Sequence, residues 1–203
     1  MSKKLYEETD IQSVADAIRE KNGLTITYKV SEMAQAIKDI PSGGGATEPY
    51  REDTLNNNYI VSSKLYGYTT IPSYFLTNST KLTAVTSNTA TTRVGDQSFS
   101  GCSSLSSFDF SNIKFIGYKA FSNCKFTDIV FGEQLQSFNT YSFMNNTSLA
   151  TVVFRGRPSS IYSSVFYGCS KLTSIKVPWS EGEVANAPWG ATKATITYNY
   201  IGE

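Results

Sequence analysis

Two carboxylates and three thiols are the residues of this chain whose types and spacing could do chemistry. A carboxylate pair such as Asp109 and Asp128 can hold calcium or serve as acid and base. The spacing implies no third ligand, and carboxylates of this kind are most often simply solvated. Cys102, Cys124 and Cys169 lie 22 and 45 residues apart, with no C-x-x-C pair, so neither a zinc knuckle nor a redox motif is supported. The sequence contains no histidine, which removes histidine bases, histidine-based triads and most zinc sites together. A thiol here has no imidazole to activate it. There is no nucleophile–base pair and no phosphate-binding loop. No catalytic residue, cofactor or metal site is assigned, and the expectation is a protein that is not an enzyme.

Bulk properties point the same way. The 203 residues are enough for a real core. A net charge of +1 offers nucleic acid no basic patch. No apolar run approaches the roughly 20 residues of a membrane span, and "MSKKLYEETD" lacks the apolar segment of a secretory signal.

The elements that must position these residues emerge from a repeat. Leu76, Phe99, Phe121, Phe143 and Phe166, here position zero, are separated by 23, 22, 22 and 23 residues. Five places earlier stand Ile71, Val94, Ile116, Phe138 and Ile161; three places later stand Ser79, Cys102, Cys124, Asn146 and Cys169. An apolar triplet follows, as in Leu105, Phe108 and Phe110 or Leu172, Ile175 and Val177. The third repeat lacks one residue between Cys124 and Phe126, and the first ends its triplet on polar Ser87.

A period near 23 with an embedded L-x-x-Φ-x-Φ pattern predicts a leucine-rich solenoid. Its short strands stack about 4.8 Å apart into a parallel sheet. One coil cannot cover its own apolar side, so coils must stack and both ends need caps. Five coils are visible over 71–178, with 51–70 and 178–203 as the expected caps. The second cap carries Trp179, Trp189 and an alternating strand from Ala194 to Tyr200. The cysteine slot then reads as one for small buried side chains, with a Cys102–Cys124 bridge between adjacent coils as the alternative.

Residues 1–40 hold 13 of the 35 charged residues and read as a helical hairpin. Thr9 and Ser31 are N-caps, Asn22-Gly23 a stop, and Pro41 the end. "PSGGGAT" from Pro41 opens a Gly-rich linker over 41–50, and the solenoid with its caps fills 51–203. The expected fold class is α+β: a short N-terminal helical hairpin, a linker, and a β-solenoid of about five coils.

On the strands, Ala84, Ser107, Asp128, Thr151 and Ser174 form one outward stripe; Thr86, Asp109, Val130, Val153 and Lys176 form the other. The sheet face of a solenoid is a common binding surface, and the outward pair Val130 and Val153 is mildly unusual. Tyr118, Tyr141, Tyr162 and Tyr167 fall outside the core positions, on the turn-rich flank, and tyrosine is a good contact residue. Asp109, Asp128, Val130, Val153, Lys176 and these four tyrosines form the candidate binding surface. Ordinary surface roles compete with that reading at every one of them.

The coil "FSGCSSLSSFDFSNIKFIGYKAF" resembles the BspA-type, or treponemal, leucine-rich repeat. Cys102 to Phe110, and Ile116-Gly117 to Ala120-Phe121, carry the match. That resemblance implies a cell-surface or secreted adhesion protein with no catalytic residues. "IQSVADAIREKNGLTITYKVSEMAQAIKDI" resembles a module in structural proteins of tailed phages and prophages of Gram-positive bacteria, and "VPWSEGEVANAPWGA" is similar to endings found there. Together they imply a non-enzymatic tail-associated protein of the virion, made in the host cytoplasm without a signal peptide. The hairpin would attach it to other tail proteins, and the solenoid would bind a glycan or protein receptor on the bacterial surface, a role that a homo-oligomer such as a trimer would fit. The alternative is a bacterial cell-surface adhesin of the same repeat class.

Overall fold

The structure, a computed structural model, describes residues 49–56 and 59–202. The chain divides into two compact units, 1–48 and 49–203. The expected hairpin at 1–40 lies outside the described residues, and so does the linker up to residue 48. The described part contains no α-helix, so the α component expected from sequence rests wholly on the undescribed segment.

The second unit opens with an antiparallel pair, β1 (Tyr50–Asn56) and β2 (Tyr59–Tyr66). Strand β1 thus begins at Tyr50, the last residue of the expected linker. Strand β2 also pairs in parallel with β4 (Ala84–Thr86), so the expected N-terminal cap is itself part of the ladder, with β1 as its outer edge. That edge carries Arg51, Glu52 and Asp53, charges of the kind that blunt an exposed strand. Arg51 binds Asp53 at 3.0 Å, and its guanidinium sits 5.1 Å from the Phe75 ring.

The coils then stack. Short return strands β3 (Thr70–Ile71), β5 (Arg93–Val94), β7 (Phe115–Ile116) and β9 (Ser137–Phe138) pair in parallel and in order. Each buries its second residue, one of the apolar set found five places before position zero. On the turn flank, the amides of Leu76, Phe99, Phe121, Phe143 and Phe166 donate to carbonyls of the next coil at 2.8–3.1 Å. The position-zero rings between these walls are fully buried. Phe99 and Phe121 stack at 5.2 Å and 16°, Phe121 and Phe143 at 5.3 Å and 12°, and Phe143 and Phe166 at 5.9 Å and 30°. The predicted aromatic ladder is thus observed.

Two expectations need correction. The first is the single parallel sheet. Strands β2, β4 and β6 (Ser107–Phe108) form one sheet with β1. A second sheet contains β8 (Asp128–Phe131), β10 (Thr151–Phe154), β11 (Ser174–Lys176) and β12 (Thr195–Thr197). Strands β6 and β8 do not pair. The interruption falls where the sequence drops a residue between Cys124 and Phe126. Lys125, standing in that shortened loop, gives its amide to Leu105 at 2.8 Å, and β8 enters one residue early. Phe110 spans the gap, meeting Phe126 at 5.7 Å and Phe131 at 5.3 Å.

The second correction is the coil count. Trp189 lies 23 residues after Phe166, is fully buried, and accepts the Phe166 amide at 2.9 Å. By these backbone bonds it stands one place before position zero of a sixth coil, as Ser98, Ala120, Ser142 and Val165 do in theirs, and its ring is buried in the core, as is Val184. The segment expected to be only a cap is therefore a shortened coil, whose strand is β12.

The thiol slot has a reason beyond size. Each thiol donates to the position-zero carbonyl of the preceding coil: Cys102 to Leu76 at 3.0 Å, Cys124 to Phe99 at 3.3 Å, and Cys169 to Phe143 at 3.1 Å. All three are free, so the Cys102–Cys124 bridge is absent. Asn146 fills the same slot through Nδ2, which donates to Phe121 and Phe143 at 2.8 Å. Its Oδ1 is buried with no partner, and a buried orphan acceptor costs about 1–3 kcal/mol. Asn146→Cys keeps the bond to Phe121 and removes the orphan, while Phe143 keeps the Cys169 thiol. The expected result is a gain of about 1 kcal/mol in a urea unfolding curve; a loss of stability would contradict this account of the slot.

Candidate functional site

Burial settles the state of the thiols. It pushes Cys102 up to about 11 and Cys169 up to about 12, and holds Cys124 well above its ordinary value. Each is therefore a protonated donor to a carbonyl, the opposite of a reactive thiolate.

The interruption between β6 and β8 opens a cleft of about 560 Å³ on the sheet face. Asp109, Asp128 and Val130 line it, together with Ser107, Glu133 and Arg155. Asp109 lies just past β6, and its Oδ1 accepts from the Ser111 amide at 2.9 Å and the Ser111 hydroxyl at 2.5 Å. That carboxylate closes a local turn. Among the described residues no three His, Cys, Asp or Glu side chains come together to hold a metal ion.

The outward stripes are real on each side of the break but do not cross it. Ala84 faces Ser107 in one sheet. In the other, Asp128, Thr151 and Ser174 are in register, as are Val130, Val153 and Lys176. Asp109 is cut off from Val130 by the missing ladder. Val130 is 45% exposed beside the half-buried Val153, and Lys176 holds its ammonium 4.7 Å from the Tyr200 ring.

Three of the four candidate tyrosines form a row on the turn flank. Tyr118 meets Tyr141 edge-on at 6.4 Å, and Tyr141 meets Tyr167 at 6.1 Å. Lys119, which the sequence did not single out, lies 5.1 Å from the Tyr118 ring and 6.0 Å from Tyr141. Tyr141 and Lys119 adopt left-handed φ of 60° and 50°, and the Lys119 amide crosses to Thr140 of the next coil at 3.3 Å. Tyr162 stands apart from this row.

Instead Tyr162 lines a second groove, of about 470 Å³, along the return strands. The outward residues of that face are Thr70, Arg93, Phe115 and Ser137, with Ser160 bridged to Ser137. The guanidinium of Arg93 lies 4.1 Å from the Phe115 ring. Sequence reasoning concentrated on the long-strand face and missed this one. The signal was the residue just before each buried return position, a stripe as regular as the two that were read.

Fold and surfaces together define a leucine-rich-repeat β-solenoid, a scaffold that exposes grooves and aromatic rows along its stacked coils. Comparison makes the assignment definite: residues 69–187 match the BspA type leucine rich repeat region in six copies. The chain belongs to that family. Among solved structures, a leucine-rich repeat protein from Bacteroides ovatus matches at 28% identity and TM-score 0.51, over 58% of this chain and 31% of that one. A leucine rich cell surface protein from Faecalibacterium prausnitzii matches at 20% identity and TM-score 0.57, over 61% and 33%. A leucine-rich repeat protein of T. pallidum matches at 18% identity and TM-score 0.51, over 73% and 79%. The last two likenesses concern the fold alone. The matched part spans about a third of the Bacteroides and Faecalibacterium chains. A search of curated proteins gave no match.

Proposed function

We propose that this protein is a non-catalytic adhesin, a rigid solenoid that binds a receptor, glycan or protein, at a bacterial surface. The observation that carries the reading is the six-coil BspA-type repeat, whose buried rungs hold exposed aromatic and polar residues in fixed rows. The thiols are buried donors, and the Asp109 carboxylate is engaged with Ser111, so the described chemistry suits gripping better than turnover.

A second carrier for the same solenoid is favoured by one feature, the likeness of Ile11–Ile40 to a module of phage tail proteins. In that reading residues 1–40 attach the chain to other tail proteins and the virion displays the solenoid. A copy number of three suits such fibres.

Flow cytometry of bacteria incubated with fluorescent full-length protein tests the shared claim. Saturable binding, displaced by unlabelled protein and weakened by Tyr141→Ala with Tyr167→Ala, is expected. Absence of saturable binding, or clear turnover of cell-wall glycan, would overturn it. Immunogold labelling of producing cells separates the carriers: label on the cell envelope supports the adhesin, and label on tailed particles supports the virion.

A further inference from the structure

We propose that the groove on the return face is a binding site for an acidic saccharide, with the sugar carboxylate on Arg93 and the sugar hydroxyls on the polar residues beside it. This rests on the adhesion reading and deepens it by naming the ligand class and the face.

The return rungs beneath the groove stack closely because glycines stand between them. Four places before position zero stand Gly95 and Gly117. A Cβ on Gly95 would lie 2.6 Å from the Ser73 nitrogen, and one on Gly117 would lie 2.6 Å from Asp96 Oδ1. Those directions are filled by the preceding coil, so the glycines let the return rungs stack closely, and the groove crosses them from coil to coil. From Thr70 to Ser160 the rungs span roughly 19 Å at the ordinary strand spacing of about 4.8 Å. An extended glycan advances by a similar distance per sugar, so successive sugars meet successive rungs.

The lining then selects the ligand. Arg93 is exposed and its guanidinium lies over Phe115, which pre-organises the fork at little entropic cost. Among the described residues no carboxylate lies within ion-pair distance of it. A planar, preset guanidinium without an acidic partner suits a carboxylate, which it can bind in two-pronged fashion. The other charge in the groove is Asp96, whose Oδ1 accepts the Tyr118 amide at 2.7 Å. Its second oxygen is an acceptor for ligand hydroxyls, which sugars supply and a plain phosphate chain does not. Asn139, Ser137 and Ser160 add short polar groups. Tyr162, 53% exposed at the far end, offers a ring face on which a sugar can stack. Arginine, carboxylate, amide, hydroxyls and an aromatic ring in one shallow trough form a set that an acidic sugar matches at each point.

The test immobilises the full-length protein and measures binding of polygalacturonate, dextran and polyphosphate by interferometry. Polygalacturonate is expected to bind best, with binding that weakens as salt is raised. Arg93→Ala should reduce it by about tenfold or more, since a charge-assisted pair is lost, and Tyr162→Ala should reduce it several-fold. Arg93→Lys should fall between. Lys171→Ala, which removes an exposed cation outside the groove, should leave it unchanged. Circular dichroism establishes that each variant is folded. Equal binding of dextran or polyphosphate, or an unaffected Arg93→Ala, would overturn the proposal. If Arg93→Ala still binds bacteria saturably while polygalacturonate is ignored, the groove assignment fails and the adhesion reading stands. If the wild-type protein binds no bacteria, the adhesion reading itself fails.

Discussion

Replacing Phe121 with alanine should lower the stability of the solenoid by about 3–5 kcal/mol, the largest loss expected from any single ring. Phe121 is fully buried and stacked on both sides, by Phe99 at 5.2 Å and Phe143 at 5.3 Å. Phe108, Phe110 and Phe126 close around its edge at 5.0, 5.2 and 5.8 Å. Each aromatic contact adds roughly 0.5–1.5 kcal/mol beyond simple burial, and the surrounding coils cannot collapse into the hole without breaking their own ladders. Position matters too. Phe121 sits beside the place where β6 and β8 fail to pair, so ring packing joins the two sheets there. The urea midpoint of Phe121→Ala should fall steeply, and its transition should broaden as the halves begin to unfold separately. Tyr167→Ala, at a 57% exposed site, should stay within about 0.5 kcal/mol of wild type. Equal effects for the two would show that the ring stack is not what holds the coils.

Trp189→Ala is expected to be nearly as damaging, at about 3–5 kcal/mol and a fall in melting temperature of roughly 10 °C. Trp189 is fully buried, and its Nε1 donates to Ala185 at 2.8 Å. It packs with Phe154 at 6.1 Å and Trp179 at 6.3 Å. Its carbonyl bond to Phe166 survives the substitution, so the loss measures the side chain alone. Trp189→Phe, which keeps most of the volume, should recover more than half. The chain has only two tryptophans, so Trp179 becomes the sole indole reporter in either variant. Its emission should shift to the red in Trp189→Ala as water reaches the opened end. An unshifted spectrum with unchanged stability would show that the sixth coil is ornamental.

The core was legible because apolar burial repeats in sequence as it does in space. Position zero, the return residue five places before it and the apolar triplet could all be read from Leu76 to Val177. The sixth coil was not, because its buried ring, Trp189, stands one place out of the phenylalanine register and its strand begins early, at Thr195. The interrupted sheet was half visible: the missing residue before Phe126 marked the place, but a shortened loop does not announce that a neighbouring ladder is lost. The thiol slot was read as a matter of size. Cysteine, asparagine and serine are also all donors, and that shared property is the one the carbonyls of Leu76, Phe99, Phe121 and Phe143 require. On the surface the pattern gave less. Tyr118, Tyr141 and Tyr167 touch because coil stacking brings places from different repeats together, whereas Tyr162 turns into another groove. Arg93 and Phe115 pair through the return strands, whose outward stripe was regular but lay beside core positions that drew the reading to burial alone.

Amide hydrogen exchange across the position-zero ladder tests the central claim most directly, since the amides of Phe99, Phe121, Phe143 and Phe166 each cross from one coil to the next. If stacked rings make the coils one cooperative body despite the interrupted sheet, these four amides should exchange together, at the rate set by global unfolding. Fast exchange at Phe99 alongside slow exchange at Phe143 and Phe166 would contradict it, showing a molecule that parts at the gap between β6 and β8.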